Sequence, residues 1–281
     1  MAGALYIVAT PIGNLEDISF RAVRVLQEVN LIAAEDTRHT QVLLNHYAIR
    51  TPLTSYHEHN ERAKALQLVE RLRRGEDIAL VSDAGTPAIS DPGYRLIVEA
   101  VRAGFRVVPI PGASALTAVL SACGLATDRF VFEGFVPEKK HARRETLRRL
   151  RPESRTLVFY EAPHRLMDSV HDMCEILGDR AVVVAREITK VHEEFLRGRL
   201  TEVAGQLAAR EIKGEVVIVV AGSQGESEIS EAQVKDEIRK LKNQGLGVKA
   251  IAELIGERHS LAKREVYRMA LEMGDADDPG C

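Results

Sequence analysis

Along the first 124 residues, short apolar runs alternate with stretches in which apolar side chains recur every three or four positions. The runs at residues 5–9, 31–34, 78–81 and 107–110 are aliphatic and bounded by Gly, Pro, Asp or Thr. Continuous runs of this length suit strands covered on both faces of a largely parallel sheet. Between them, Ile18, Ala22, Val25, Leu26 and Val29 share one helical face, as do Ala65, Leu68, Val69 and Leu72. Asp91 or Ser90 is expected to cap the next helix, with Pro92 in its first turn. This β–α alternation predicts a doubly wound α/β lobe over residues 1–124.

The pattern restarts after residue 125. Runs at 130–135, 156–160, 181–185, 195–200 and 215–221 read as strands of a second α/β lobe over 125–222, with the 195–200 strand pairing locally. Residues 223–229 are a polar linker, and 230–281 read as a small all-helical module with helices near 231–243, 248–255 and 260–273. The segment 248–256 has the spacing of the first helix of a helix-turn-helix, and a packing or dimerisation bundle explains it equally well.

Composition narrows this picture. The 281 residues are 45% hydrophobic and 28% charged, enough apolar content for two lobes and too much for a disordered chain. The net charge of -3 means that any nucleic-acid contact must come from a local patch. Three widely spaced cysteines form neither a disulfide framework nor a metal pair, and no other spacing suggests a metal site. The start of the chain lacks signal-peptide character and no run approaches ~20 apolar residues, so the expectation is a soluble, cytoplasmic protein without a membrane partner.

Candidate chemistry lies where strands end, the ligand-binding edge of α/β sheets. Residues 9–15 form a turn in which Pro11 restricts the backbone and Gly13 lets it approach a ligand. No G-x-G-x-x-G or Gly-Lys-Ser/Thr is present there, which argues against a dinucleotide or ATP site. Asp83, Ala84, Gly85, Thr86 and Pro87 follow the third run, with an acceptor and room beside it, although an Asx-turn is an alternative. Ser114 and Ala115 mark a strand-to-helix elbow. Glu35, Asp36 and Arg38 read as an acid/base and anion-clamp cluster, with a solvated helix cap as the alternative. Tyr160 and Glu161, then Arg186, Glu187 and Lys190, then Lys213 and Gly214, repeat the arrangement in the second lobe; each could be a structural ion pair, but polar clusters at most strand ends of both lobes point to a cleft between the lobes. Within 138–151, Lys139, Lys140, Arg143, Arg144, Arg148, Arg149 and Arg151 face two glutamates, a local charge of +5. A solvated helix usually mixes signs, so contact with nucleic-acid phosphates is expected here.

Taken in order, ATPIGNLEDIS, AAEDTRHT, VSDAGTPAISDPG, PIPGASA, FYEAPHR, AREITK and KGE span nearly the whole chain. Together they resemble the tetrapyrrole methylase family and, within it, the methyltransferases of small-subunit ribosomal RNA. The resemblance implies a class III methyltransferase fold, two α/β lobes enclosing S-adenosyl-L-methionine, and a homodimer. It places Pro11, Gly13, Asp83, Ala84, Gly85, Thr86, Pro87, Ser114 and Ala115 at the cofactor from the first lobe. From the second it places Tyr160, Glu161, Lys213 and Gly214. The implied substrate is the 2′-hydroxyl of a cytidine in the decoding region of 16S ribosomal RNA, in the free RNA or the 30S subunit. Glu35, Asp36, Glu187 and Lys190 are then candidates for the proton acceptor, and Arg38 and Arg186 for positioning phosphates. Methylation of a tetrapyrrole or another small molecule is the alternative activity, and a non-catalytic nucleic-acid binder the alternative class.

Overall fold

A computed structural model describes residues 2–224, 231–259 and 261–273. Most of the expected 223–229 linker and the end of the 230–281 segment lie outside the described residues. The chain divides into two compact units, Met1–Gly222 and Ser223–Cys281.

The first unit begins with five parallel strands, β1 (Ala4–Val8), β2 (Leu31–Ala34), β3 (Leu53–Ser55), β4 (Ile78–Val81) and β5 (Arg106–Ile110), in the order β3-β2-β4-β1-β5. Four match the apolar runs. The edge strand β3 is a half-buried Leu-Thr-Ser with no run to announce it. Helices α1 (Phe20–Glu28) and α2 (Thr37–His46) cover one face, packing Val25, Leu26 and Leu44 on Ile32, Ala34 and Val81. Helices α3 (Glu61–Arg73) and α4 (Tyr94–Arg102) cover the other, packing Leu68, Leu72 and Leu96 on Leu5, Leu31 and Leu80. Ser19 caps α1 by accepting from the Ala22 amide, and Asp36 caps α2 through the Arg38 amide. The expected cap of α4 is corrected: Gly93, at φ 148°, occupies that position, and Ser90 and Asp91 lie in the loop before it.

Helix α5 (Ala115–Ala122) leads to a second, mixed sheet of β6 (Phe130–Phe135), β7 (Thr156–Glu161), β8 (Ala181–Arg186), β9 (Glu194–Arg199) and β10 (Val216–Val220). Its order is β6-β7-β10-β8-β9. Only β6–β7 is parallel, and β9 pairs with its sequence neighbour β8. Alternate side chains of β8 and β10 serve two cores. Val182, Val184, Ile218 and Val220 face α6 (Lys140–Leu150), α7 (Leu166–Leu177) and α8 (Leu200–Ala208). Val183, Ala185, Val217 and Val219 face α5, with Val119 and Leu120. Full burial of each large aliphatic chain contributes about 1.5–3 kcal/mol, which locks α5 onto the second sheet.

The second unit holds α9 (Glu231–Asn243), α10 (Val248–His259) and α11 (Lys263–Glu272) around Val234, Ile238, Ile251, Ile255 and Val266. No described helix is long and apolar enough to cross a membrane.

Candidate active site

A cavity of about 340 Å³ opens where the two sheets meet. Ile12, Ala84, Gly85 and Thr86 line it from the loops after β1 and β4, and Ser114 and Ala115 from the start of α5. Phe135, Tyr160, Glu161, Gly214 and Glu215 close it from the second sheet. Its volume lies within the ~300–1,000 Å³ typical of small-molecule sites, and small residues let the backbone form much of the wall.

The walls are tied to one another. The Thr10 and Gly85 amides and carbonyls bond reciprocally at 2.9 and 3.1 Å, and Thr10 Oγ1 donates to the Ser82 carbonyl at 3.1 Å. Gly85 has φ +79°, a left-handed conformation that a side chain would strain. Across the cleft, the Tyr160 hydroxyl faces Ser114 and Leu116 at the start of α5. Phe132 and Phe135 meet its ring edge-on at 4.9 and 5.6 Å.

Several expected cofactor contacts sit beside the cavity instead of in its wall. Asp83 accepts from the Asp36 amide at 2.9 Å and so braces the end of β2. Lys213 is exposed and pairs with Glu211 at 3.1 Å. Pro11 and Gly13 continue the Ile12 turn, and Lys190 crosses so near Gly13 that a Cβ there would lie 2.4 Å from Lys190 Cγ. Pro87 is buried behind Thr86, whose Oγ1 donates to the Ala113 carbonyl at 3.4 Å. Glu161 lines the cavity but its carboxylate is buried, bonded by Arg165 at 2.9 Å, the Ala162 amide at 2.8 Å and the Ser169 hydroxyl.

The acid/base candidates separate by environment. Burial, then the charge of Asp83, raises the Glu35 pKa. Asp36 is instead held well below the ordinary carboxylate range by its pairing with Arg38 at 2.7 Å. That pair is the solvated helix cap, which leaves Asp36 a weak base and Arg38 an exposed cation. Burial opposes the charges of Glu187 and Lys190, but their mutual hydrogen bond at 2.9 Å wins. With Glu215 also bonded to Lys190 at 3.1 Å, Glu187 stays ionised and Lys190 stays protonated, a poor proton acceptor. Arg186 is half-buried between Glu194 and the Lys213 carbonyl. Among the described residues no group of three or more His, Cys, Asp or Glu is arranged to hold a metal.

The basic segment is also divided. Arg143 is 3% exposed and donates to Asp172 of α7 at 2.6 Å, so it belongs to the core and not to a phosphate-binding face. Arg144 bridges Asp172 at 2.7 Å and Glu175 at 2.5 Å. Lys139, Lys140, Arg148, Arg149 and Arg151 remain exposed. Arg149 and Phe135 line one small cleft, and Phe135 also lines the main cavity.

The sequence profile described as Tetrapyrrole (Corrin/Porphyrin) Methylases matches residues 4–204. The chain belongs to this family. A ribosomal RNA small subunit methyltransferase I from Synechocystis sp. is 48% identical over 274 residues, 96% of this methylase and 98% of the relative. One from Halalkalibacterium halodurans is 54% identical over 221 residues, 79% of this chain and 76% of its own. One from Escherichia coli O157:H7 is 48% identical over 273 residues, covering 96% and 95%. The methylase fold is shared with solved structures at low identity. Diphthine synthase aligns with a TM-score of 0.59 at 18% identity, over 78% of this chain and 90% of that one. Uroporphyrin-III C-methyltransferase from Thermus thermophilus, in complex with S-adenosylhomocysteine, aligns with a TM-score of 0.55 at 20% identity, over 78% and 97%.

The cavity wall also holds Asp91, Phe135 and Glu215, which no single sequence motif marks as ligand contacts. An aspartate before a proline suggests a helix cap. No local signal opposes that reading, since Asp-Pro is the better helix entry by sequence; the positive φ at Ala88, Ser90 and Gly93 moves the start of the helix past it.

Proposed function

We propose that this methylase uses S-adenosylmethionine to methylate the 2′-hydroxyl of a cytidine ribose in the decoding region of small-subunit ribosomal RNA. The relatives' shared name supports ribosomal RNA as the substrate. The observation that carries the reading is the junction at Phe135, which lies in the wall of the cavity and beside the exposed Arg149 of α6. A polyanion held on Lys139, Lys140, Arg148 and Arg149 thereby runs past the cavity mouth. An enzyme acting on a porphyrinoid has no evident need of this arrangement.

The cavity suits the cofactor. Ile12, Phe135 and Tyr160 offer apolar surface, Ala84, Gly85 and Ala115 leave room, and the acidic wall complements a cation. When bound, S-adenosylmethionine supplies a methyl group on positively charged sulfur. The chain's own work is to align the hydroxyl, exclude water and take its proton. Glu35 fits the last role because burial, then the charge of Asp83, raises its pKa and makes it the stronger base, whereas Asp36 is held low and Lys190 protonated. The homodimer implied by family resemblance belongs to the same proposal, and equilibrium sedimentation checks it.

Labelled S-adenosylmethionine incubated with 30S subunits should place label on ribose in the RNA, and none on a porphyrinoid offered in parallel. Label on the porphyrinoid alone overturns the reading. Replacing Lys139, Lys140, Arg148 and Arg149 by Gln should weaken subunit binding and make its salt slope shallower, by roughly 0.7–0.9 for each phosphate no longer neutralised.

A further inference from the structure

The cavity carries charge of one sign. Among the described residues lining it there is no Lys, Arg or His, and its three carboxylates are not equivalent. Glu161 is bonded to Arg165 at 2.9 Å and Glu215 to Lys190 at 3.1 Å. Asp91 has the Ser82 hydroxyl as a hydrogen-bonding neighbour, while Glu35, Asp83 and Glu215 repel its charge.

The loop that carries Asp91 is held in an unusual shape. Ala88 and Ser90 have φ of 69° and 66°, and Gly93 has φ 148°. Side-chain-bearing residues rarely adopt such angles, and they persist where the surroundings enforce them. The loop is enforced from both sides. A Cβ on Gly93 would meet Leu80 and Ala88 at 3.0 and 3.3 Å, and one on Gly134 of β6 would meet Ser90 Oγ at 3.3 Å. The outcome is that Asp91 faces the cavity and does not cap α4.

A partly buried carboxylate without an internal cation is unfavourable, and the cavity wall offers no cation to relieve it. A ligand can relieve it. Resting on the reading that the methyl donor occupies this cavity, we propose that Asp91 recognises the positive charge of the donor's methionyl part. The donor carries two such charges, the sulfonium and the ammonium, and one carboxylate can answer to either.

Proton linkage follows. Burial first, then Glu35, pushes the Asp91 carboxyl up to about 7, with Asp83 and Glu215 adding to the effect and Ser82 opposing it. Tyr160 also faces it. A bound cation favours the ionised carboxylate, so below pH 7 binding must first expel a proton and the donor binds more weakly. From the ionised fractions, affinity should fall roughly fivefold between pH 7 and pH 6.

Titration calorimetry on the full chain tests this with three ligands: S-adenosylmethionine, S-adenosylhomocysteine, which lacks the sulfonium charge, and methylthioadenosine, which lacks both charges. Asp91→Asn should weaken S-adenosylmethionine about tenfold at pH 8, abolish its pH dependence between 6 and 8, and leave methylthioadenosine unchanged. Wild type should release a fraction of a proton on binding at pH 7, read from buffers of different ionisation heat, and the variant should release none. A loss shared by S-adenosylhomocysteine assigns the ammonium as Asp91's partner, and a loss confined to S-adenosylmethionine assigns the sulfonium. Equal losses for all three ligands, or no loss at all, overturn the proposal. Ser114→Trp, which fills the cavity, separates the two readings. If it abolishes binding while Asp91→Asn is neutral, the assignment of Asp91 alone fails. If it leaves binding intact, the cavity itself is misassigned and the proposal falls with it.

Discussion

Arg143→Met tests whether the basic helix is divided between a buried strut and an exposed face. Arg143 and Asp172 have side chains only 4% and 6% exposed and meet at 2.6 Å, joining α6 to α7. Met keeps the length of the stem and removes the charge. Taking one partner from a buried pair usually costs about 3–5 kcal/mol, because the other charge is left uncompensated. Arg144 still reaches Asp172 at 2.7 Å, so the lower end, about 3 kcal/mol, is expected. At about 2–4 °C per kcal/mol for a domain near this size, the Tm should fall by roughly 6–12 °C. Asp172→Asn should cost more, about 5 kcal/mol, since it strands the buried Arg143 without its counter-charge. Urea unfolding and calorimetry measure both losses. In the same Arg143→Met protein, below its transition, the salt slope of ribosomal-subunit binding should match wild type. A variant within about 1 kcal/mol of wild-type stability but with a shallower salt slope would refute the division and return Arg143 to the phosphate-binding face.

Gly214→Ala should destabilise by about 2 kcal/mol or more in urea unfolding, because Gly214 has φ +85° and a Cβ would lie 2.2 Å from the Glu187 carboxylate. Asp91→Asn should stabilise the ligand-free protein at pH 8 by about 1–2 kcal/mol after allowance for solvent screening, and by little at pH 4. The sign follows because the folded pKa, about 7, exceeds the ordinary aspartate value of 3.8: the folded state holds a proton that the unfolded state has lost, so wild-type stability declines as pH rises from 4 to 7. Melting curves that keep a constant difference across pH would sink it. Glu35→Gln should spare S-adenosylmethionine affinity in calorimetry at pH 8, where Asp91 is ionised in either protein, and lower turnover by ~10²-fold, and near-normal turnover would rule Glu35 out as the proton acceptor.

The strands are legible because parallel-sheet interiors demand continuous apolar runs, and β1, β2, β4 and β5 all show them. Strand β3 escapes because a three-residue edge needs no such run. The location of the cavity is legible for a related reason: in a doubly wound sheet, loops at strand ends converge on one crevice, so position along the chain is enough to bring Gly85, Thr86, Ser114 and Ala115 to it. Roles of charged residues are harder to read. Residues 138–151 hold seven cations and two acids, yet the partners of Arg143 and Arg144 lie on α7, 28 to 31 positions later. Asp36 can be read locally, because its cap and its pairing with Arg38 are both two residues away.

Asp83 and Asp91 show most clearly where the limit falls. Both are aspartates in the stretch between β4 and α4, and local motifs favour the first as the ligand contact and the second as a helix cap. The fold reverses these assignments. The Asp83 carboxylate accepts the Asp36 amide and so holds the end of β2 against the end of β4. The left-handed turns at Ala88 and Ser90 carry Asp91 back to the cavity wall. Ligand facing is therefore decided by backbone angles that neither aspartate dictates. The space around that loop is set by Leu80 and by Gly134 on β6, more than forty residues further along the chain. A substitution at Gly134, itself outside the cavity wall, should accordingly disturb cofactor affinity, since a Cβ there lies 3.3 Å from Oγ of Ser90, a wall residue that precedes Asp91. The acidic wall and its supporting glycine form one unit, assembled only when the two sheets close on each other.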